Sequence, residues 1–205
     1  MLPYGRSECD MAATTTSGTT ATSSGIPDAE EIRAAFTEHR RELAWLAEFL
    51  TDDELMASVC VADARNLTDT HEDEICQECV RRWPREATIV SALDLKRTRI
   101  AELSSVYESY EYGAFVGRQH PPLSLDIFEL VVSESDLVRR RLDSLCRFVL
   151  ILCGVEQRST GDAALLLGIS KHAVEAAYSS ALESLEVIYC HSPGDGSGLQ
   201  QPGRL

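Results

Sequence analysis

The sequence predicts an all-α protein made of two small helical bundles joined by a linker, and three observations lead there. Apolar residues recur at helical spacing in two stripes. One is Ile32, Phe36, Leu43, Leu46 and Leu50; the other is Val138, Leu142, Leu145, Val149 and Leu152. Helix-start signals precede both halves, with Asp28 and Glu31 ahead of the first stripe and Ser133 to Asp136 ahead of the second. Ser159 to Tyr178 reads as a short helix, a glycine turn and a second helix. Gly113, Gly117, Pro121 and Pro122 lie between the stripes, so each stripe is expected to build its own core.

The whole chain sets bounds on this picture. Its 205 residues can bury one good core or two small ones. No run is long and apolar enough to span a bilayer, and the N-terminus lacks the basic-then-apolar layout of a signal peptide. A cytoplasmic location and no membrane contact follow as expectations. The net charge of −14 repels nucleic acid at long range, so DNA binding requires local positive charge or a partner that supplies it. Seven cysteines, an odd number without secretion signals, are expected to be reduced and to act mostly as small apolar residues. The sequence has no nucleophile elbow, phosphate-cradling glycine loop or suggestive carboxylate pair, so neither an enzymatic role nor a cofactor is expected.

In chain order, residues 1–27 are rich in Thr, Ser, Ala and Gly without periodicity and are expected to be disordered. Met11 lies inside this stretch as a second candidate start. Residues 28–107 form the first helical domain. It begins with a helix through the first stripe. Thr51 to Glu54 is a capping box for a helix through Leu55, Met56, Val59 and Ala62. Asn66 to His71 is polar and expected to be a loop. A helix through Ile75 and Cys79 then runs to about Trp83. Pro84 suits a first helical turn, and the helix it opens continues to about Tyr107 with Val90, Leu93, Ile100 and Leu103 inward. Residues 108–132 are the linker, in which Ser124 to Val132 adds a short helix. Residues 133–190 form the second helical domain, and residues 191–205 a disordered tail.

Within Ser159 to Tyr178, Ala164 is small enough for two helix axes to approach, and Gly168 can take the positive φ that the turn needs. Ile169, Val174 and Ala177 are apolar where the second helix must face the first, and Ser170 is placed to cap it. This is the spacing of a DNA-binding helix-turn-helix. Together with Leu142 to Ser159 and Ala181 to Leu185, the stretch resembles region 4 of bacterial sigma factors, most nearly the extracytoplasmic-function type of the sigma-70 family. There a "VLxLxxxEGxS" run precedes "xxAxxLGISxxxVxxxxxxAxxxL". The matching residues are Val149, Leu150, Leu152, Glu156, Ser159, Ala163, Leu167, Gly168, Ile169, Ser170, Val174, Ala181 and Leu185. In the family the second helix carries arginines or lysines on its exposed side; here that side shows Glu175, Ala176, Ser179, Ser180 and Glu183.

Trp83 to Arg99 similarly resembles "WLxxIAxNxxxDxxRRxxR", the end of sigma region 2, through Trp83, Asp94, Arg97 and the nearby Lys96 and Arg99; Val90 replaces the family's asparagine. Leu43 to Ala64 then corresponds to the part that grips the polymerase clamp. A competing frame places Asp73 to Trp83 on the clamp-gripping "EDxVQExxxRxW" run, but it leaves too little chain for a strand-opening segment.

The resemblance implies core RNA polymerase and promoter DNA as partners, and an anti-sigma factor as a further one. It implies DNA contact by Lys96, Arg97 and Arg99, with Arg81, Arg82 and Arg85 upstream, and by Ser170, Lys171 and His172 at the start of the second helix. Against phosphate contact, the first cluster can instead pair with Glu86 and Glu102 along the helix, and Glu175 places a carboxylate toward the groove. The two function classes are therefore a transcription initiation protein and a sigma-derived protein-interaction module that regulates transcription with little DNA binding of its own. His71, Cys76 and Cys79, with Cys60 as a fourth ligand, invite a zinc reading. No second Cys-x-x-Cys or histidine pair completes such a site, so no metal is expected.

Overall fold

The computed structural model describes residues 29–71, 75, 79–109 and 131–191. The N-terminal segment, most of the expected linker with the start of its short helix, and nearly all of the tail lie outside these residues. The described residues are all-α, with no strand among them. The helices are α1 (Ala29–Glu38), α2 (Arg40–Thr51), α3 (Glu54–His71), α4 (Trp83–Glu108), α5 (Ser135–Arg141), α6 (Ser144–Val149), α7 (Thr160–Leu167) and α8 (Lys171–His191), with a π-helical turn, Leu150–Val155, after α6; residues 131–133, at the end of the expected short helix, are helical too.

Local chemistry accounts for most boundaries. The first stripe is divided at His39, so α1 and α2 are separate helices. Asp52 ends α2 in a left-handed conformation, and the side chain of Asp53 accepts the Met56 N–H at 2.8 Å, so Asp53 rather than Thr51 caps α3. The polar stretch expected to be a loop after Asn66 is helical, and α3 runs on to His71. Its polar side is used: the Trp83 indole N–H donates to the Thr68 hydroxyl at 2.8 Å. Cys79 to Arg82 is a turn, not the end of a helix, and Pro84 sits in the first turn of α4 as expected. Along α4, Leu93 and Ile100 are buried, while Val90 and Leu103 are half-buried.

The expected pair of separate cores is not what forms. Leu46, Ala47, Phe49 and Leu50 of α2 and Ile89, Leu93, Ile100 and Tyr107 of α4 share one core with Leu145, Phe148, Ile151, Leu167, Val174 and Leu185. α4 packs against α6 and α8, and α2 against α6. Ile32, Ala35, Phe36, Leu43, Ala64, Ile75, Val80 and Ala87 form a second, smaller cluster around α1. The second stripe is buried throughout. Burying a large apolar side chain is worth about 1.5–3 kcal/mol, and α2 and α4 offer such side chains to both halves.

Polar contacts cross the same junction. The Tyr107 hydroxyl donates to Asp143 at 2.8 Å, with Cys146 Sγ 3.0 Å away. Arg139 pairs with Glu48 and Asp52. Arg147 is only 3 % exposed, and its Nη1 lies 3.2 Å from Asp52 Oδ1. Neither Nη1 nor Nε makes an aligned hydrogen bond among the described residues. Burial lowers the Arg147 pKa and Asp52 opposes that shift. Arg147 Nη2 donates to the Ser144 hydroxyl at 3.4 Å, so Asp52 is the one carboxylate paired with it among the described residues; a buried cation so held adds little stability of its own, but removing the carboxylate strands it. Asp52→Asn is therefore expected to cost about 1–3 kcal/mol in urea denaturation, whereas Arg147→Met is expected to be near neutral. Equal losses in both variants would contradict this account.

Candidate functional site

The helix-turn-helix is built from its caps inward. The Ser159 hydroxyl accepts the Asp162 N–H at 3.1 Å and opens α7. Gly168 closes α7 at φ +68°, its N–H bonded to the Ala164 carbonyl at 2.9 Å. The Ser170 hydroxyl then accepts the Ala173 N–H at 3.1 Å and opens α8. A Cβ on Gly168 would meet nothing within 4 Å, so a side chain there costs backbone strain alone. The approach to α7 is also unusual. Gln157 has φ +55°, and it occupies the position at which the sigma pattern carries glycine.

These two left-handed residues give opposite expectations. Gly168→Val should lose about 1–3 kcal/mol, and Gln157→Gly should gain about 1 kcal/mol. Melting temperatures of the two variants shifting in the same direction would contradict the assignment.

The sequence-predicted DNA-binding residues are placed but largely occupied. Ser170 is consumed as the cap. Lys171 is exposed, with its Nζ 3.3 Å from Glu175 Oε1. His172 is half-buried and engaged. On α4, Arg97 bonds Asp94 at 2.6 Å and Arg99 bonds Glu102 at 3.0 Å, all four exposed, while Lys96 is half-buried. The expected Arg99–Glu102 pairing is present, but Glu86 turns away from this cluster to Arg158. The groove-facing side of α8 is not open either. Ala176 is 2 % exposed, and Glu175, Ser179, Ser180 and Glu183 are half-buried.

Sequence reasoning missed the groups that join the halves. Arg85 bonds both Glu42 and Glu156, the latter at 2.8 Å from Nε, and Arg158 bonds Glu86 at 2.8 Å. The partners lie 43, 71 and 72 residues apart, so no local spacing could pair them. Also unforeseen is the outer face of α3, where Leu55 is 77 % exposed beside exposed Met56 and Val59. Exposed Asp53, Glu54 and Asp63 border that face.

The zinc ligands do not assemble among the described residues, which hold no group of three or more His, Cys, Asp or Glu able to bind a metal. The side chains of His71 and Cys76 lie outside the described ones. Cys60 instead donates to the Thr88 carbonyl at 3.2 Å. Cys60, Cys146 and Cys153 are free, as expected of reduced thiols, whereas Cys79 is disulfide-bonded. Burial, reinforced by Asp63, pushes the Cys60 thiol up to about 12, and burial beside Asp143 does the same for Cys146. Both thiols hold their protons in the fold well above the pH at which an unfolded cysteine ionises. Their contribution to stability is complete below about pH 8.5 and is lost as pH rises toward 12. Denaturation midpoints should fall over that window, and less so in Cys60→Ala with Cys146→Ala; a flat profile would contradict the burial.

Comparison with protein-family models, with curated proteins and with solved structures gives no match. No helix of the described residues is long and apolar enough to cross a membrane.

Proposed function

We propose that this chain is a sigma-derived protein-interaction module that regulates transcription by binding core RNA polymerase, with little DNA binding of its own. The observation that carries the second half of this reading is the packing of α8 into the shared core, with Ala176 buried and Lys171 held by Glu175. A recognition helix needs a free face to enter a groove. The left-handed Gln157, at the position where the sigma pattern carries glycine, supports the descent. For the protein contact, α3 offers Leu55, Met56 and Val59 within the region that the resemblance assigns to the polymerase clamp. Leu55→Glu with Val59→Glu, both at exposed positions, should abolish capture by immobilised core polymerase and leave helicity unchanged. Wild-type protein that core polymerase does not retain would defeat the reading.

A second reading, promoter-dependent initiation, is favoured by the exposure of Arg97 and Arg99 on α4. It expects Lys96→Ala, Arg97→Ala and Arg99→Ala together to abolish transcription with core polymerase. It also expects the salt dependence of DNA binding to flatten by about one unit of slope per lost contact. Under this reading Glu175→Arg strengthens DNA binding; under the first reading it has no effect. An anti-sigma factor is a further partner consistent with either.

A further inference from the structure

We propose that Cys79 forms a reversible redox latch with Cys76 at the entry to α4, opened by a dithiol reductant of the thioredoxin class. The inference uses neither the polymerase contact nor any DNA contact, so it stands or falls apart from the reading above.

Cys79 is disulfide-bonded and exposed. Of the seven cysteines, Cys60, Cys146 and Cys153 are free, which leaves Cys9, Cys76 and Cys190 as candidates for its partner. Cys76 lies three residues before it, and Cys-x-x-Cys is the spacing on which thiol–disulfide exchange sites are built. A disulfide that closes so short a loop takes little freedom from the unfolded chain, so it stabilises the fold little. An exposed disulfide is open to attack by an outside thiolate, and exposed bonds are the labile, regulatory ones. The chain's free thiols do not compete for it. Burial pushes Cys60 and Cys146 up to about 12 and Cys153 to about 11, and only a thiolate attacks.

The bond sits on a turn to which several elements are tied. The Cys79 carbonyl accepts the Arg82 and Trp83 N–H groups at 2.9 and 2.8 Å, which sets the entry to α4. The next residue, Val80, is buried with Ile75 in the cluster around α1. Trp83 reaches Thr68 of α3, and Arg85 reaches Glu42 of α2 and Glu156 of the second half. Opening is a two-electron exchange. A thiolate of the reductant attacks one sulfur of the bond, forming a mixed disulfide and releasing the other cysteine as a thiol. The reductant's second thiol then displaces the remaining protein sulfur. The reductant leaves as its own disulfide, and both protein cysteines carry protons.

The test uses the full chain without denaturant, with glutathione disulfide as oxidant and dithiothreitol as the dithiol. Peptide mapping of the oxidised protein should find Cys76 joined to Cys79. Dithiothreitol followed by iodoacetamide should label these two and leave Cys60 and Cys146 unlabelled. Hydrogen exchange at the Arg82 and Trp83 amides should quicken about tenfold on reduction, the size of one weakened turn hydrogen bond, while amides of α6 and α8 keep their protection. Returning the protein to glutathione disulfide should restore slow exchange, and Cys79→Ser should exchange at the fast rate with or without dithiothreitol. A pair left free in glutathione disulfide, or a bond mapped to Cys9 or Cys190, overturns the inference. So does a bond that dithiothreitol opens only in urea, or exchange at Arg82 and Trp83 that is the same before and after reduction.

Discussion

The burial of α8 against both α4 and α6 is the constraint from which the rest of the architecture follows. Phe49, Leu93 and Ile100 from one half and Leu145, Phe148 and Leu185 from the other lie in the same core. Each such side chain contributes about 1.5–3 kcal/mol on burial, whereas a partly exposed ion pair contributes about 0–1 kcal/mol. Apolar packing therefore decides that the halves stay together. The ion pairs of Arg85, Arg139 and Arg158 decide how they sit, since a shifted docking leaves half-buried charges unpaired. Arg147 makes the same point more sharply. Its burial is costly, and only the observed register brings Asp52 within reach.

That packing explains the composition of α8. Ala173, Ala176, Ala177 and Ala181 are all buried, and four alanines in nine positions make a smooth surface that neighbouring helices can approach closely. Seen as a recognition helix, α8 lacks the basic side chains it should display. Seen as a central packing helix, it has the residues that packing demands, because an arginine at position 176 would have to bury its guanidinium without a partner. The departure from the sigma pattern and the single core are thus one fact. The turn at Gly168 is a separate matter. Gly168 at φ +68° and the caps at Ser159 and Ser170 are local requirements of any tight helical pair, and they persist whichever face of α8 is used.

What could be read in the sequence follows the same division between local and distant causes. The all-α class, the buried second stripe, the cap at Ser170, the left-handed turn at Gly168 and the start of α4 at Pro84 each depend on residues a few positions apart. The merged core depends on which helices meet, and Gly113, Gly117, Pro121 and Pro122 pointed instead to separation. A polar run was equally misleading at Asn66 to His71. Thr68 is polar because it caps the Trp83 indole, while its own hydroxyl bonds back to the Ala64 carbonyl at 3.0 Å inside the helix. Of the candidate site, Lys96, Arg97 and Arg99 lie on α4; the pairing of Arg99 with Glu102 is legible from their spacing, and that of Arg97 with Asp94 is an addition. The exposed face of α3 was hidden because Leu55, Met56 and Val59 have the spacing of a buried stripe, and nothing local distinguishes an apolar face that is covered from one that is not.

Charge ties these features together. The chain is acidic overall, yet of its 19 basic residues only Lys96 and Lys171 are lysine. Arginine is the better choice where a cation must be partly desolvated and held by a carboxylate in a fixed geometry, since its planar fork is preorganised and less strongly hydrated than an ammonium. Arg85, Arg139, Arg147 and Arg158 are all in that situation. These four are held by a similar number of carboxylates, so the excess of acidic residues, a net charge of −14, still sets the outer field and disfavours nucleic acid at a distance. Any DNA contact by this chain must therefore be short-range. It must be made by arginines already at the surface, such as Arg97 and Arg99, or while a larger assembly supplies the attraction.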